Sequence, residues 1–181
     1  ATTDSDVLLR AGDGIGTNAA KIETTGLTDF AAVTATDGIF LNNATSGAIN
    51  VTALGGVTGV TSTTSGAISI TNSAAANIKV ASVVTAAGTD NVTLNAGAAL
   101  DIDANVTAGG SVDLDSQAGS VDVAAGARVV AGGNGTTLTI NSAGGVINLR
   151  AGANDTETVT NTGTGTITIA SNGTNAITLF D

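Results

Sequence analysis

The residues best suited to chemistry in this chain lie in the segment Asp-Ile-Asp-Ala-Asn at positions 101–105. Asp101, Asp103 and Asn105 present side-chain oxygens at alternate positions, which is the spacing that calcium-binding loops use to surround a hard cation. The segment lacks the glycine and the distal glutamate of an EF-hand loop. Two interpretations therefore stay open: a weak calcium site formed by Asp101, Asp103 and Asp122, or an acidic face that is simply solvated.

Catalytic chemistry has few candidates in this sequence. The chain contains no His and no Cys, so the commonest general base and the thiol nucleophile are both missing. A carbohydrate-cleaving enzyme would need a basic residue beside its carboxylates. Arg128 and Arg150 are the nearest candidates, but no Trp or Tyr offers a stacking platform for a sugar ring. We expect no enzymatic activity and, calcium aside, no cofactor.

Threonine side chains form another candidate surface, because regular threonine ranks on a β-helix can order water, as they do in ice-binding solenoids. Here Thr93, Thr139 and Thr168 occupy equivalent positions, but Phe40 and Asp113 interrupt the series. Threonine is also favoured in strands for packing reasons alone. Ice binding is therefore the less favoured alternative.

These residues belong to an internal repeat that decides the fold. An apolar–polar–apolar triplet recurs in two registers, and successive first-register copies are 20 to 29 residues apart. The first register comprises Ile39/Leu41, Ile68/Ile70, Val92/Leu94, Val112/Leu114, Leu138/Ile140 and Ile167/Ile169. The second register comprises Ile49/Val51, Ile78/Val80, Leu100/Ile102, Val121/Val123, Ile147/Leu149 and Ile177/Leu179.

The alternation inside each triplet is typical of a strand that points one side chain inward and the next outward. Strands this short are stable only if each coil stacks on the next, about 4.8 Å away. The sequence therefore predicts an all-β fold: a single-stranded, right-handed parallel β-helix (β-solenoid) of about seven coils. Loops should emerge between the second register and a looser third side. That side would use Val57/Val60, Val83/Val84, Val106, Val129/Val130 and Val159.

We expect one β-helix domain over residues 1–181, with regular coils from about 39 to 181 and an irregular, enlarged start over about 1–38. The sequence segment at 7–12 matches the segment at 147–152, which predicts a second-register strand at the start of the chain. The 42 residues from Val7 to Ile49 are too many for an average coil. An enlarged coil or an extra short strand must accommodate Ile15, Ile22, Leu27 and Phe30.

Stacked coils would place Asp122 and Lys79 on either side of the outward-facing Asp101. Like charges at this spacing repel, so either Lys79 and water or a bound cation must relieve the acidic pair. A second polar set closely follows the first-register strands and is predicted to stack at a turn, with hydrogen bonds along the axis. Its members are Asn42, Asn72, Asn95 and Asn141.

Composition limits the partners. The net charge of −10, from 15 acidic and 5 basic residues, argues against nucleic acid and against an anionic membrane surface. No window approaches the ~20 apolar residues of a membrane span. The N-terminus has neither Met nor a signal-peptide pattern, so we expect a mature or excised piece of a longer polypeptide.

The segment Ala11–Asn43 reads AGDGIGTNAAKIETTGLTDFAAVTATDGIFLNN. It resembles the β-helical shaft of filamentous-haemagglutinin-type secreted bacterial adhesins, which show a G-x-I-G-T turn, a spacer with Leu and Thr, and then G-I-F-L-x-N. The later G-x-V-x-L phrases look like the same shaft in generic form. The resemblance implies a filament that serves adhesion or matrix building. The family's secretion domain is not visible here, and its Asn-Pro signature cannot occur in a chain without Pro.

We therefore expect a structural or adhesive module of a secreted or cell-surface bacterial filament or extracellular matrix, as in a biofilm. Its ends should pair with flanking coils of a longer polypeptide or with another copy of the chain, because open β-helix ends leave unpaired strand edges. Host or matrix glycans are further candidate partners. The alternative is a β-helix carbohydrate-binding or carbohydrate-active protein.

Overall fold

The chain is a solenoid of short parallel strands. The computed structural model describes residues 5–44, 47–150, 158–172 and 176–180, and in these ranges it contains strands and turns but no helix. Every strand pair between coils in these ranges is parallel. The predicted all-β fold and parallel β-helix are confirmed. The strands are numbered β1 to β22 in chain order; twenty of them form three faces, and the other two form a hairpin.

Face 1 is a parallel sheet of seven strands, one from each turn of the solenoid. Its strands are Ile22–Thr24 (β2), Ile39–Asn43 (β4), Ile68–Asn72 (β9), Val92–Ala96 (β12), Val112–Ser116 (β15), Thr137–Ser142 (β18) and Thr166–Ser171 (β21). Val92 pairs with Ile68 on one side and with Val112 on the other. All six first-register triplets lie in this one ladder, as predicted.

Face 2 holds the second register. Its strands are Asp6–Arg10 (β1), Asp29–Thr34 (β3), Ile49–Val51 (β5), Ile78–Val80 (β10), Leu100–Ile102 (β13), Val121–Val123 (β16), Ile147–Arg150 (β19) and Ile177–Phe180 (β22). Leu100 pairs with Ile78 and with Val121, and the remaining second-register triplets continue the ladder in both directions. The second register is therefore also confirmed.

Face 3 is the third side of the coil. Its strands are Val60–Ser62 (β8), Val84–Ala86 (β11), Val106–Ala108 (β14), Val129–Ala131 (β17) and Val159–Asn161 (β20). The strands β1 and β3 are long enough to continue from face 2 onto face 3. The inward rank on this face is Val60, Val84, Val106, Val129 and Val159, as the sequence predicted.

The interior is filled by the inward side chains of all three faces. In the central turns these Val, Ile, Leu and Ala side chains are 0–1% exposed. Phe30 is the largest fully buried side chain and takes the same inward position as Val51 in the next turn. A narrow interior of this kind favours small branched residues, because each added methylene must fit a close-packed space.

The first part of the chain forms turns of ordinary length. Val7 pairs with Phe30, and Phe30 pairs with Val51, so the 42 residues before Ile49 contain a complete additional turn instead of one enlarged coil. The predicted face for the first strand is right, but its register is wrong by two residues. Val7 occupies the ladder position of Leu149, and not that of Ile147. A two-residue shift keeps inward residues inward, so alternation alone cannot detect it.

A short hairpin leaves the solenoid between faces 2 and 3, where loops were predicted. Ala53–Leu54 (β6) pairs with Val57–Thr58 (β7), and the turn residues Gly55 and Gly56 have φ of 52° and 80°. This is the left-handed conformation that tight hairpin turns require and that glycine adopts without strain. The hairpin packs on β3 and β1, and the Arg10 Nη2 atom donates a hydrogen bond to the Gly55 carbonyl at 2.8 Å.

Candidate functional site

Asp101 and Asp122 lie on face 2 in one outward rank, that is, a row of side chains at equivalent positions in successive turns. Asp103 follows directly after β13 and is not part of this row. The ladder aligns Asp29, Asn50, Lys79, Asp101 and Asp122 in successive turns. Lys79 and Asp122 flank Asp101, as predicted. The Asn50 side-chain amide donates to Asp29 Oδ1 at 2.7 Å, so polar contacts run along the solenoid axis. We call this series the face-2 rank.

Lys79 provides the positive charge for the two carboxylates of the Asp-Ile-Asp segment. Its Nζ atom lies 2.6 Å from Asp103 Oδ2 and 3.3 Å from Asp101 Oδ2. These two hydrogen bonds, together with the attraction between the opposite charges, raise the pKa of Lys79. The ammonium group therefore occupies the position next to Asp101 and Asp103 that a bound cation would need. The contact is largely exposed, so it contributes modestly to stability.

Asp122 is held by a separate set of partners. Its Oδ1 atom accepts a hydrogen bond from Arg150 Nη2 at 2.9 Å, and both of its oxygens lie 3.1 Å from the Asn148 side-chain nitrogen. Asp122 therefore faces the following turn, whereas Asp101 faces the preceding one. The repulsion between the two stacked carboxylates is relieved on both sides by protein groups.

These contacts bear on the calcium hypothesis. Asp101, Asp103, Asp122 and Arg150 line an open depression of about 510 Å³. Within the described ranges, no group of three or more acidic side chains comes together in a way that could hold a metal ion. The structure thus brings Asp101 and Asp103 together through Lys79 and directs Asp122 to Arg150. Calcium binding by the three residues stays a prediction that needs direct measurement.

Face 1 carries a second polar series. Asp113 lies between Thr93 and Thr139 in the ladder. Although its side chain reaches solvent, the strands around it remove part of its hydration. This desolvation raises the pKa of Asp113, and repulsion from the Asp115 carboxylate raises it further. Asp115 itself accepts a hydrogen bond from the Asn141 side chain at 2.8 Å.

The predicted asparagine stack needs one correction. Asn42, Asn95 and Asn141 do share an outward rank on face 1, but Asn72 lies one position further along its strand and is fully buried. Asn72 pairs in the ladder with Asn43, whose side-chain amide donates to Asn72 Oδ1 at 3.4 Å. Because strand positions alternate between the two sides of a sheet, this shift of one residue turns Asn72 from the surface to the interior.

The buried rank continues into later turns with serine. Ser116 and Ser142 occupy the Asn72 position in their own turns and are 0% exposed. The Ser116 hydroxyl donates to the Gly119 carbonyl at 2.6 Å and accepts a hydrogen bond from the Gly119 amide at 3.1 Å. Ser142 does the same with Gly145 at 2.7 and 3.0 Å. These side chains satisfy the backbone of a buried corner, so their role is structural.

Face 3 presents a rank that sequence reasoning missed. From β3 to β20 its outward positions hold β-branched residues, and Arg10 of β1 takes the next position beyond Val33. The β-branched residues are Val33, Thr61, Thr85, Thr107, Val130 and Thr160. The threonines of face 1 form an interrupted series, as predicted. Variable turn lengths conceal the face-3 rank in the sequence, although the repeated Val-Thr-Ala at 84–86 and 106–108 is a visible signal of it.

The last described turn exposes part of the solenoid interior. Ile167, Ile177 and Leu179 point inward, yet they are 46%, 45% and 72% exposed. Their counterparts one turn earlier are 0–6% exposed. At the opposite end, the inward-facing Ile22 is 38% exposed. Both ends of the described solenoid therefore combine apolar surface with unpaired strand edges.

Comparison with known proteins identifies no relative: no family model, no curated protein and no solved structure matches this chain. Across the described part of the chain, no helix is long and apolar enough to span a bilayer. The fold and the surfaces described above are therefore the basis for a functional proposal.

Proposed function

We propose that this chain is a structural module of a secreted or cell-surface bacterial filament or extracellular matrix, in which β-solenoids stack end to end. The observation that carries the proposal is the exposure of inward-facing Ile167, Ile177 and Leu179 in the last described turn. Covering these residues with another turn would bury apolar surface and pair the open backbone groups at once. The partner is another copy of the chain or flanking coils of a longer polypeptide.

Adhesion and matrix building are the roles that the resemblance to filamentous-haemagglutinin-type shafts supports. A repetitive shaft also needs no reaction centre, which agrees with a sequence that lacks His and Cys. An extracellular location follows from the same proposal. A solenoid of this kind gains stability from stacked backbone ladders, so it does not depend on disulfides.

End-to-end stacking is tested by electron microscopy and sedimentation of the purified chain over a range of concentrations. We expect filaments whose length grows with concentration, and we expect Leu179→Asp to leave short rods, because a charge would then be buried at the junction. Thr178→Asp is the matched control, since it adds the same charge at the adjacent outward position of β22. Wild-type rods that stay short and uniform at every concentration would refute self-assembly.

A glycan-binding module is the second candidate. Face 1 has an open depression of about 490 Å³ lined by hydroxyl, amide and carboxylate groups that include Thr93, Asp113 and Thr139. Such groups can hydrogen-bond sugar hydroxyls, although the chain has no Trp or Tyr to stack on a sugar ring. A glycan array would test this candidate: binding that is lost in Asp113→Asn would support it, and an array without signal would remove it.

A further inference from the structure

We propose that face 3 is a lateral docking surface for a second copy of this chain, through which end-to-end filaments associate side by side. The inference rests on the proposed filament and adds the surface by which filaments bundle. It concerns the strands β8, β11, β14, β17 and β20 and their outward rank.

The outward rank of face 3 is uniform in shape and chemistry. Thr61, Thr85, Thr107, Val130 and Thr160 stand directly above one another in successive turns. Each is partly exposed and β-branched, so each has few rotamers to lose when it is covered. At the other end of the face, the β6–β7 hairpin packs on β3, where Ala31 is 0% exposed. The hairpin thus covers the part of β3 around Ala31, whereas Val33 stays partly exposed beside Thr61.

The distribution of charge separates this face from the other two. The five short face-3 strands have the sequences VTS, VTA, VTA, VVA and VTN, without an acidic or basic residue. Face 2 carries charges of both signs, namely Asp29, Lys79, Asp101, Asp122 and Arg150, and face 1 carries Asp113 and Asp115. In a chain with a net charge of −10, two copies repel each other least when their uncharged faces meet.

The size of the face explains why copies of this chain would associate through it only when they are already stacked in filaments. Five turns at ~4.8 Å, with strands of three residues at ~3.3 Å, give a surface of roughly 240 Å² per chain. Stable interfaces bury about 800 Å² per partner. One chain is therefore too small to dimerise by this face. Several chains stacked end to end add their surfaces, and the lateral contact then becomes stable through multivalency.

The test compares two variants that add one negative charge each. Thr85→Glu places a carboxylate in the middle of face 3, and Thr71→Glu places one at a partly exposed face-1 position of the preceding turn. We expect wild-type filaments to form bundles that widen as salt screens the acidic faces. Thr85→Glu should leave single filaments of normal length, whereas Thr71→Glu should still bundle. Thr107→Glu repeats the face-3 change one turn away, in case the first variant folds poorly.

Each result bears on a different claim. If no filament forms under any condition, the proposed function and this inference both fail. If wild-type filaments stay single at every salt concentration, only the lateral inference fails. Equal bundling by Thr85→Glu, Thr107→Glu and the wild type would also overturn it. Single filaments that bind ice or a polysaccharide through face 3 would assign this surface to another occupant, against the proposal.

Discussion

At the scale of single residues, the buried corner of face 3 shows how much one hydroxyl group can matter. Thr34 is 1% exposed and its Oγ1 atom has no hydrogen-bond partner. Ser62, which pairs with Thr34 in the ladder, is equally buried, but its hydroxyl donates to the Gly66 carbonyl at 2.7 Å. The same inward position thus holds one satisfied and one unsatisfied hydroxyl group.

This contrast predicts opposite effects for two small substitutions. Thr34→Val should raise the free energy of unfolding by about 1 kcal/mol, because it removes an unsatisfied buried hydroxyl and keeps the shape. Ser62→Ala should lower it by roughly 1–2 kcal/mol, because the Gly66 carbonyl loses its donor. Chemical denaturation of both variants beside the wild type measures the difference. A loss of stability in Thr34→Val would show that its hydroxyl has a partner.

Asp113 predicts a dependence of stability on pH. Its pKa is raised in the folded chain above the ordinary value of 3.8, so folding favours its neutral form. That contribution is fully present below the unfolded pKa and is lost as the pH rises through the folded pKa. Asp113→Asn should therefore be more stable than the wild type at pH 7, by well under ~1 kcal/mol for an exposed group.

The advantage of Asp113→Asn should disappear below about pH 3.8, where the wild-type carboxyl is neutral in both states. Thermal unfolding midpoints from pH 3 to pH 7 measure this. Asp13→Asn, at an exposed turn position, is the control for the loss of one charge. A constant difference between Asp113→Asn and the wild type over this pH range would contradict the assignment.

At the scale of elements, the face-2 rank links the β10 and β13 strands through Lys79. Because the Lys79 ammonium already contacts Asp101 and Asp103, we expect millimolar calcium to leave the wild-type unfolding midpoint unchanged. Lys79→Met should have a slightly lower midpoint that calcium restores, since two neighbouring carboxylates then lack a cation. Lys21→Met is the control, because Lys21 donates to the hydroxyls of Ser69 and Thr71. A wild-type midpoint that rises with calcium would show that the metal displaces Lys79.

The elements also show which patterns can be predicted. The two main registers follow from alternation and turn residues, so the strands of the face-1 and face-2 ladders were predictable from Ile39 onward. The first strand shows the limit of this reasoning, because a two-residue shift leaves the same alternation. Asn72 shows a second limit. It was grouped with the other asparagines by its distance from a triplet, but whether a strand residue is buried depends on whether it occupies an inward or an outward position.

At the scale of the whole molecule, the solenoid has a uniform interior, and its long sides differ in chemistry from its described ends. Its long sides carry polar ranks, and its described ends expose apolar residues such as Leu179. Each turn contacts only its neighbours, so the first and the last described turns are each packed on one side only. In the two proposals, end-to-end stacking buries the apolar ends, and lateral bundling buries face 3.

The amino-acid sequence by itself determined the fold class, the two long ladders and the inward residues, because alternation and repeat length are local properties of the chain. It also predicted that Asp101 and Asp103 point outward, with Lys79 on one side and Asp122 on the other. Only the tertiary structure decided that Lys79 joins the two aspartates, that Asn72 is buried, and that the outward residues of face 3 from Val33 to Thr160 form an uncharged row. These features depend on which residues stack across turns of unequal length, and that register is set by the packing of the whole coil.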